Sequence, residues 1–162
     1  MDPQTLGEGP LLYVGTFLFS LVSGLIPVVN IEIYLLAVAG YTKAAPWPII
    51  LLATAGQTLA KYFLYLAGRG LVRLPWEWMR TRLERARHAL DNHPKGAESV
   101  VLVSAITGIP PIYATSLAAG ALAMPPLRFL TPTTFGRLLR FAVVFYAPKV
   151  ILSLTHRAGA TG

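Results

Sequence analysis

LLYVGTFLFSLVSGLIPVVNIEIYLLAVAG, residues 11–40, is apolar almost throughout, yet Pro27 and Asn30 interrupt it and Glu32 follows the interruption. Hydrocarbon offers no water to pair an opened backbone, so such a break persists only where protein or a watery cavity covers it. Sixteen helical residues rise about 24 Å, short of a ~30 Å hydrocarbon core. The stretch therefore predicts a re-entrant helical hairpin with arms at Leu11–Ile26 and Ile31–Gly40, although the first arm is long enough nearly to span. A second apolar stretch, Ser99–Met124, is broken at Pro110-Pro111 into arms of about 11 and 13 residues, each too short to cross. It predicts a second hairpin.

Each hairpin precedes a longer segment. Pro46–Gly68 and Gly136–His156 are each long enough for a full crossing. Between the halves, Leu71–Glu98 is polar and basic, with Trp76, Met79, Leu83 and Leu90 at helical spacing among Arg and Glu. That pattern suits an amphipathic helix at the membrane interface; a solvated linker helix is the plainer alternative. The halves also align in one constant register. Ala39-Gly40 matches Ala119-Gly120, Pro46 matches Pro126, Thr54 matches Thr134, Gly56 matches Gly136 and Leu59 matches Leu139. One hairpin plus one crossing traverses the membrane an odd number of times, so a second copy is inverted relative to the first. Many transporters build a midplane site from such repeats. The expected fold is an all-α integral membrane protein forming one domain over residues 1–162. Repeat 1 covers about 11–69, a cytoplasmic linker helix 70–98, and repeat 2 about 99–157.

Composition agrees. Only 13% of the 162 residues are charged, against roughly 25% in soluble domains, and mean hydropathy is +0.57. The net charge is +7, and half of the 14 Lys and Arg residues, Arg69, Arg73, Arg80, Arg82, Arg85, Arg87 and Lys95, fall in one polar segment. Clusters of this kind beside spanning helices mark the cytoplasmic side and suit anionic headgroups. Nucleic acid, the usual partner of a basic soluble protein, is set aside by the apolar content. With no cysteine, disulfides and thiolate metal sites are excluded. The acidic N-terminus lacks the basic region of a cleaved signal peptide and is expected outside, as is the C-terminus.

Glu32 is the first candidate for chemistry. A carboxylate at membrane depth is disfavoured by a few kcal/mol on insertion scales, so it carries a function or has a partner. Its expected role is proton coupling; a salt bridge, or a cap at the hairpin tip shared with Asn30, is the structural alternative. Lys61, Arg140 and Lys149 form the basic counterpart, Lys61 about 12 Å from the end of its helix. Arg137 and Arg140 lie three apart on one helical face, expected near the cytoplasmic boundary, a spacing that suits a phosphate held by two guanidinium groups. With Arg69 they would line a basic mouth; anchoring at the interface is their plainer role. Helices starting after Pro27 and after Pro110-Pro111 would aim positive dipole ends at the midplane. Tyr113, Thr115 and Ser116 add hydroxyls there. His88, His93 and His156 have no metal-ligand spacing, and no acidic pair or nucleophile elbow occurs. No enzyme activity, metal or cofactor is expected.

These pieces in this order resemble the DedA family, also called the VTT or SNARE-associated Golgi protein family. The resemblance rests on the Ser23–Gly40 hairpin with its acidic residue, and on Gly56 through Lys61-Tyr62, Tyr65 and Gly68-Arg69. It rests further on Thr107-Gly-Ile-Pro-Pro-Ile-Tyr113, Ala119-Gly120, Met124, Phe129 and Gly136-Arg137-x-x-Arg140-Phe141. It covers roughly Leu11–Pro148 and is nearest to a small YqaA-like branch. It implies two opposed re-entrant hairpins, lipid movement across a bacterial cytoplasmic (inner) membrane, the family's acidic residue at Glu32 and its Gly-Arg arginine at Arg69. Members of the larger branch carry arginines around the second hairpin's proline, where this chain has Thr107 and Tyr113. Arg137 and Arg140 are then left to recognise phosphate.

The expected function is a flippase or scramblase for an anionic lipid, such as a polyprenyl phosphate or a phospholipid, coupled to protons through Glu32. Headgroup binding falls to Arg69, Arg137, Arg140, Lys61 and Tyr113. Its partners are membrane lipids and protons, with a homo-oligomer left open. Two other classes compete: a proton-coupled exporter of small molecules or cations, and a non-transporting membrane assembly factor.

Overall fold

Prolines punctuate this chain, and most helices start on one. In the computed structural model, which describes residues 9–26, 30–42, 44–71 and 94–159, six helices and no strand occur among the described residues. They are α1 (Pro10–Leu25), α2 (Ile31–Tyr41), α3 (Pro46–Leu71), α4 (Pro94–Thr107), α5 (Ile112–Ala121) and α6 (Pro126–Gly159). Helices α1, α3, α4 and α6 open on proline, whose missing N–H is one that a first turn leaves unpaired anyway. Helix α2 opens instead after Asn30, whose side chain accepts the Glu32 N–H at 2.8 Å. Helix α1 stops where Ile26 turns extended. Pro27 itself, and residues 72–93 of the expected amphipathic helix, lie outside the described residues.

Burial is inside-out. Along α1, Leu11, Val14, Leu18, Val22 and Leu25 recur every three or four residues and are all exposed, whereas Thr16, Ser20 and Ser23 are buried. Helix α3 repeats this, with Leu51, Leu59, Phe63 and Leu66 outside and Thr54, Gln57 and Lys61 inside. Water would reject such a surface; hydrocarbon accepts it, and polar side chains find partners between helices. Helix α3, over Pro46–Gly70, is the one described helix both long and apolar enough to cross a membrane.

Packing joins the elements across the chain. Helix α1 lies on α3 and α4 on α6, α3 packs on α5, α2 on α6, and α3 touches α6. Two apolar clusters result. One gathers Ile31, Leu35 and Ala39 of α2, Ile49, Ile50 and Ala53 of α3, and Phe141 and Phe145 of α6. The other gathers Tyr65 of α3, Val101 of α4, Ala119 of α5, Met124, and Phe129 of α6. Along α3 the first cluster ends at Ala53 and the second begins at Tyr65. The buried polar residues Gln57 and Lys61 lie between them, so the polar layer is sealed by apolar packing at both ends.

Three expectations shift. Helix α4 begins at Pro94, five residues before Ser99, and α6 begins at Pro126, ten before Gly136. Proline at a first position explains both starts: the polar residues that follow cost an apolar segment its score but cost a helix little. As a result Arg137 and Arg140 do not sit at the mouth of the last helix. Arg140 lies about 21 Å along α6, and Lys61 about 22 Å along α3.

A basic centre at two helix breaks

The last carbonyls of any helix lack intrahelical partners, and at membrane depth no water replaces them. Helix α1 solves this with side chains from two other helices. Lys61 of α3 donates its Nζ–H to the Gly24 carbonyl, and the Tyr113 hydroxyl of α5 donates to the Ser23 carbonyl at 2.9 Å. The ammonium also lies 3.4 Å from the centroid of the Tyr113 ring, a cation–π contact. Gln57, one turn before Lys61, donates to the Ser23 hydroxyl at 2.8 Å, and that hydroxyl donates to Ser20 O at 3.1 Å.

Helix α4 ends in the same manner on α6. Arg140 donates through Nη1 to the Ile106 carbonyl at 2.9 Å. Its Nε donates to Glu32 Oε1 at 2.6 Å, and Nη2 makes the second contact to the same oxygen. Glu32 occupies the first turn of α2, where the positive end of the helix dipole favours a carboxylate, while Lys61 and Arg140 meet negative C-terminal ends. Thus α3 and α6 each send one cation to the C-terminal end of the helix beside it, α1 and α4. Through Arg140, Glu32 at the start of α2 is tied to the Ile106 carbonyl at the end of α4.

Arg137 differs from both. It is 7% exposed, its Nε has no hydrogen-bond partner among the described residues, and its guanidinium lies 5.9 Å from the centroid of Phe141. It is close enough to feel the charges of Lys61, Arg140 and Glu32 and the Tyr113 hydroxyl. A buried cation without such a partner is costly, since each guanidinium N–H was hydrated in water. Three cations against one carboxylate give the centre a positive excess, and Arg137 is where that excess is least compensated.

Of the residues expected to bind a headgroup, the fold brings Lys61, Tyr113, Arg137 and Arg140 together with Glu32. Arg69 is elsewhere, exposed near the end of α3 and 5.6 Å from the centroid of Tyr65. Asn30 is exposed and serves as a cap. Pro110 and Pro111 form the second break, where the Ser104 hydroxyl donates to the Pro110 carbonyl at 2.6 Å. Sequence reading gives no role to Gln57 and Ser23. Gln57 stands one turn from Lys61 in an apolar helix, and in the repeat register it matches Arg137; either relation marks the same inward face.

Because Lys61 closes the end of α1, Lys61→Met is expected to destabilise the fold by about 1–3 kcal/mol through the orphaned Gly24 carbonyl. Steric-trap or denaturant unfolding in micelles would measure this. An unchanged midpoint would show that the carbonyl is satisfied another way.

Exposed apolar faces, a polar layer held between apolar clusters, and a basic centre at two helix breaks define a helical membrane protein. The sequence profile of the VTT domain matches residues 11–149, and the chain belongs to that family, the domain of the DedA/SNARE-associated Golgi proteins. Comparison with curated proteins and with solved structures gives no match.

Proposed function

We propose that the protein is a transporter, not an enzyme, that moves an anionic lipid between leaflets, with the headgroup phosphate held by Arg137 between Lys61 and Arg140. The observation that carries this reading is the buried Arg137 guanidinium lacking a partner at Nε, since an oxyanion supplies what it lacks. An exporter of cations is disfavoured by the same positive excess, because a cation would meet three like charges and one carboxylate already paired with Arg140.

In this reading the two broken segments form opposed re-entrant hairpins that expose this centre alternately. Helices α3 and α6 begin at the matching prolines Pro46 and Pro126, and each packs on the first hairpin arm of its own half. A Cβ on Gly56 would lie 2.6 Å from the Phe17 carbonyl of α1, and one on Gly136 would lie 2.6 Å from Ala105 Cβ of α4. The second arms are exchanged, α5 packing on α3 and α2 on α6. An inverted repeat has this pattern, and the two apolar clusters would then seal the centre from either side in turn. A polyprenyl phosphate and a phospholipid share the phosphate that the centre recognises. The bacterial cytoplasmic membrane is the proposed location, and protons are the proposed coupling ion, carried by Glu32.

Purified protein in liposomes tests the reading. Movement of a fluorescent anionic lipid between leaflets, without added partners, is the expected result. Proton flux driven by cationic drugs would instead favour an exporter, and neither activity would leave an assembly role. Glu32→Gln keeps an oxygen for Arg140 but removes the charge, so transport is expected to fall to the background of empty liposomes while the helical circular dichroism is retained. Full transport by that variant would remove Glu32 from proton coupling.

A further inference from the structure

Away from the centre, α4 and α6 leave an open groove of about 640 Å³ where both helices begin. Its volume falls within the ~300–1,000 Å³ of sites that hold a small ligand. None of its residues belongs to the basic centre. The order of its lining with depth is what matters. Lys95 is the second residue of α4 and Arg128 the third of α6, so both cations stand at the mouth. Leu102 and Phe135, each seven residues further along, lie about 10 Å deeper, and Phe135 is 59% exposed. Leu127, at 76%, is bare beside Arg128. Glu98 meets Arg128 at 3.6 Å, a loose pair that engages one of five guanidinium N–H groups. The mouth therefore keeps a net charge of +1, above an apolar wall that faces outward.

We propose that this groove holds one phospholipid with a singly negative headgroup, its phosphate on Lys95 and Arg128 and an acyl chain along Leu102 and Phe135. Charge complementarity selects the occupant: a monoanionic diester balances the mouth, whereas a zwitterionic lipid adds a cation beside Lys95. The vertical sequence of cation then apolar wall matches the sequence of phosphate then chain in a lipid standing in its leaflet. The lipid is a resident of the protein's surface and not its cargo, so the site does not depend on the transport reading.

Native mass spectrometry of the full chain released from micelles tests this, with phosphatidylglycerol, phosphatidylcholine of the same chain length, and glycerol 3-phosphate as probes. Wild-type protein is expected to retain one phosphatidylglycerol in preference to phosphatidylcholine and to retain no glycerol 3-phosphate. The double variant Lys95→Gln/Arg128→Gln should lower phosphatidylglycerol retention on the order of tenfold, to the phosphatidylcholine level. Thr131→Trp, which fills the groove from an exposed position on α6, should lower retention of both lipids while leaving helical circular dichroism intact. Equal retention of the two lipids by wild type, or an undiminished preference in the double variant, overturns the proposal. So does loss of the bound lipid in Arg137→Gln, since that would place it in the basic centre. Conversely, a groove lipid that persists in an Arg137→Gln protein unable to transport supports the site and separates it from the transport reading.

Discussion

Arg137→Gln is expected to lower anionic-lipid transport in liposomes by about two orders of magnitude while leaving the protein at least as stable as wild type. Truncating one side of a buried charge pair costs about 2–5 kcal/mol in comparable contacts, enough to span a hundredfold loss of affinity. The stability half of the prediction separates Arg137 from its neighbours. Lys61 and Arg140 each satisfy a helix-end carbonyl, so their loss unmakes structure. Arg137 has an unpartnered Nε in a buried site beside other cations, and removing a charge so placed is expected to relieve the fold. Transport assays paired with unfolding midpoints would decide the matter. A variant that transports normally, or one that loses stability by several kcal/mol, would make Arg137 a structural residue.

Gly120→Val is expected to have the largest effect on folding. A Cβ at Gly120 would overlap the Tyr65 carbonyl oxygen and crowd the Arg69 backbone nitrogen, all main chain of α3. Backbone cannot swing aside as a side-chain tip can, so α5 would have to move away from α3. That separation breaks the second apolar cluster, where Ala119 packs with Tyr65 and Phe129. It also strains the 2.6 Å bond from the Tyr65 hydroxyl to the Met124 carbonyl, which fixes the turn into α6. Overpacking at such a contact costs about 1–3 kcal/mol and sometimes more, and here the valine sits against backbone alone. Yield of monodisperse protein in detergent is the readout, with Gly120→Ala expected to be intermediate. Wild-type yield of the valine variant would show that α3 and α5 approach less closely than the structure describes. A Tyr65→Phe change, which removes only the hydroxyl bond, should be milder, on the order of 1 kcal/mol.

Both effects arise where helices end or touch in the interior, and this is also where sequence reading thins out. The apolar arms, their breaks near Asn30 and at Pro110-Pro111, and the register that sets Pro46 on Pro126 are all legible in the chain. Each is a local or periodic signal: proline removes an N–H wherever it stands, and hydrophobic runs report length directly. The starts of α4 and α6 are not legible. Residues such as Lys95 and Arg128 lower the apparent hydropathy of first turns that nonetheless remain helical, so the chemical boundary and the helical boundary separate. That displacement moves the arginines of α6 from a mouth to the interior.

From sequence alone came the kind of protein: an apolar, broken chain in which a few ionisable groups, Glu32, Lys61, Arg137 and Arg140, stand within apolar stretches and so require partners. Which partner each one takes was decided by the tertiary structure. Glu32 of the first half meets Arg140 of the second, and Lys61 reaches back to Gly24. Arg137, one turn from Arg140, is left with a buried Nε that meets no acceptor among the described residues. Helical period fixes which side chains share a face, but not which face of another helix they will oppose. Only the packing of α3 and α6 against the ends of α1 and α4 distinguishes a cation that closes a helix from one whose buried Nε meets no acceptor among the described residues.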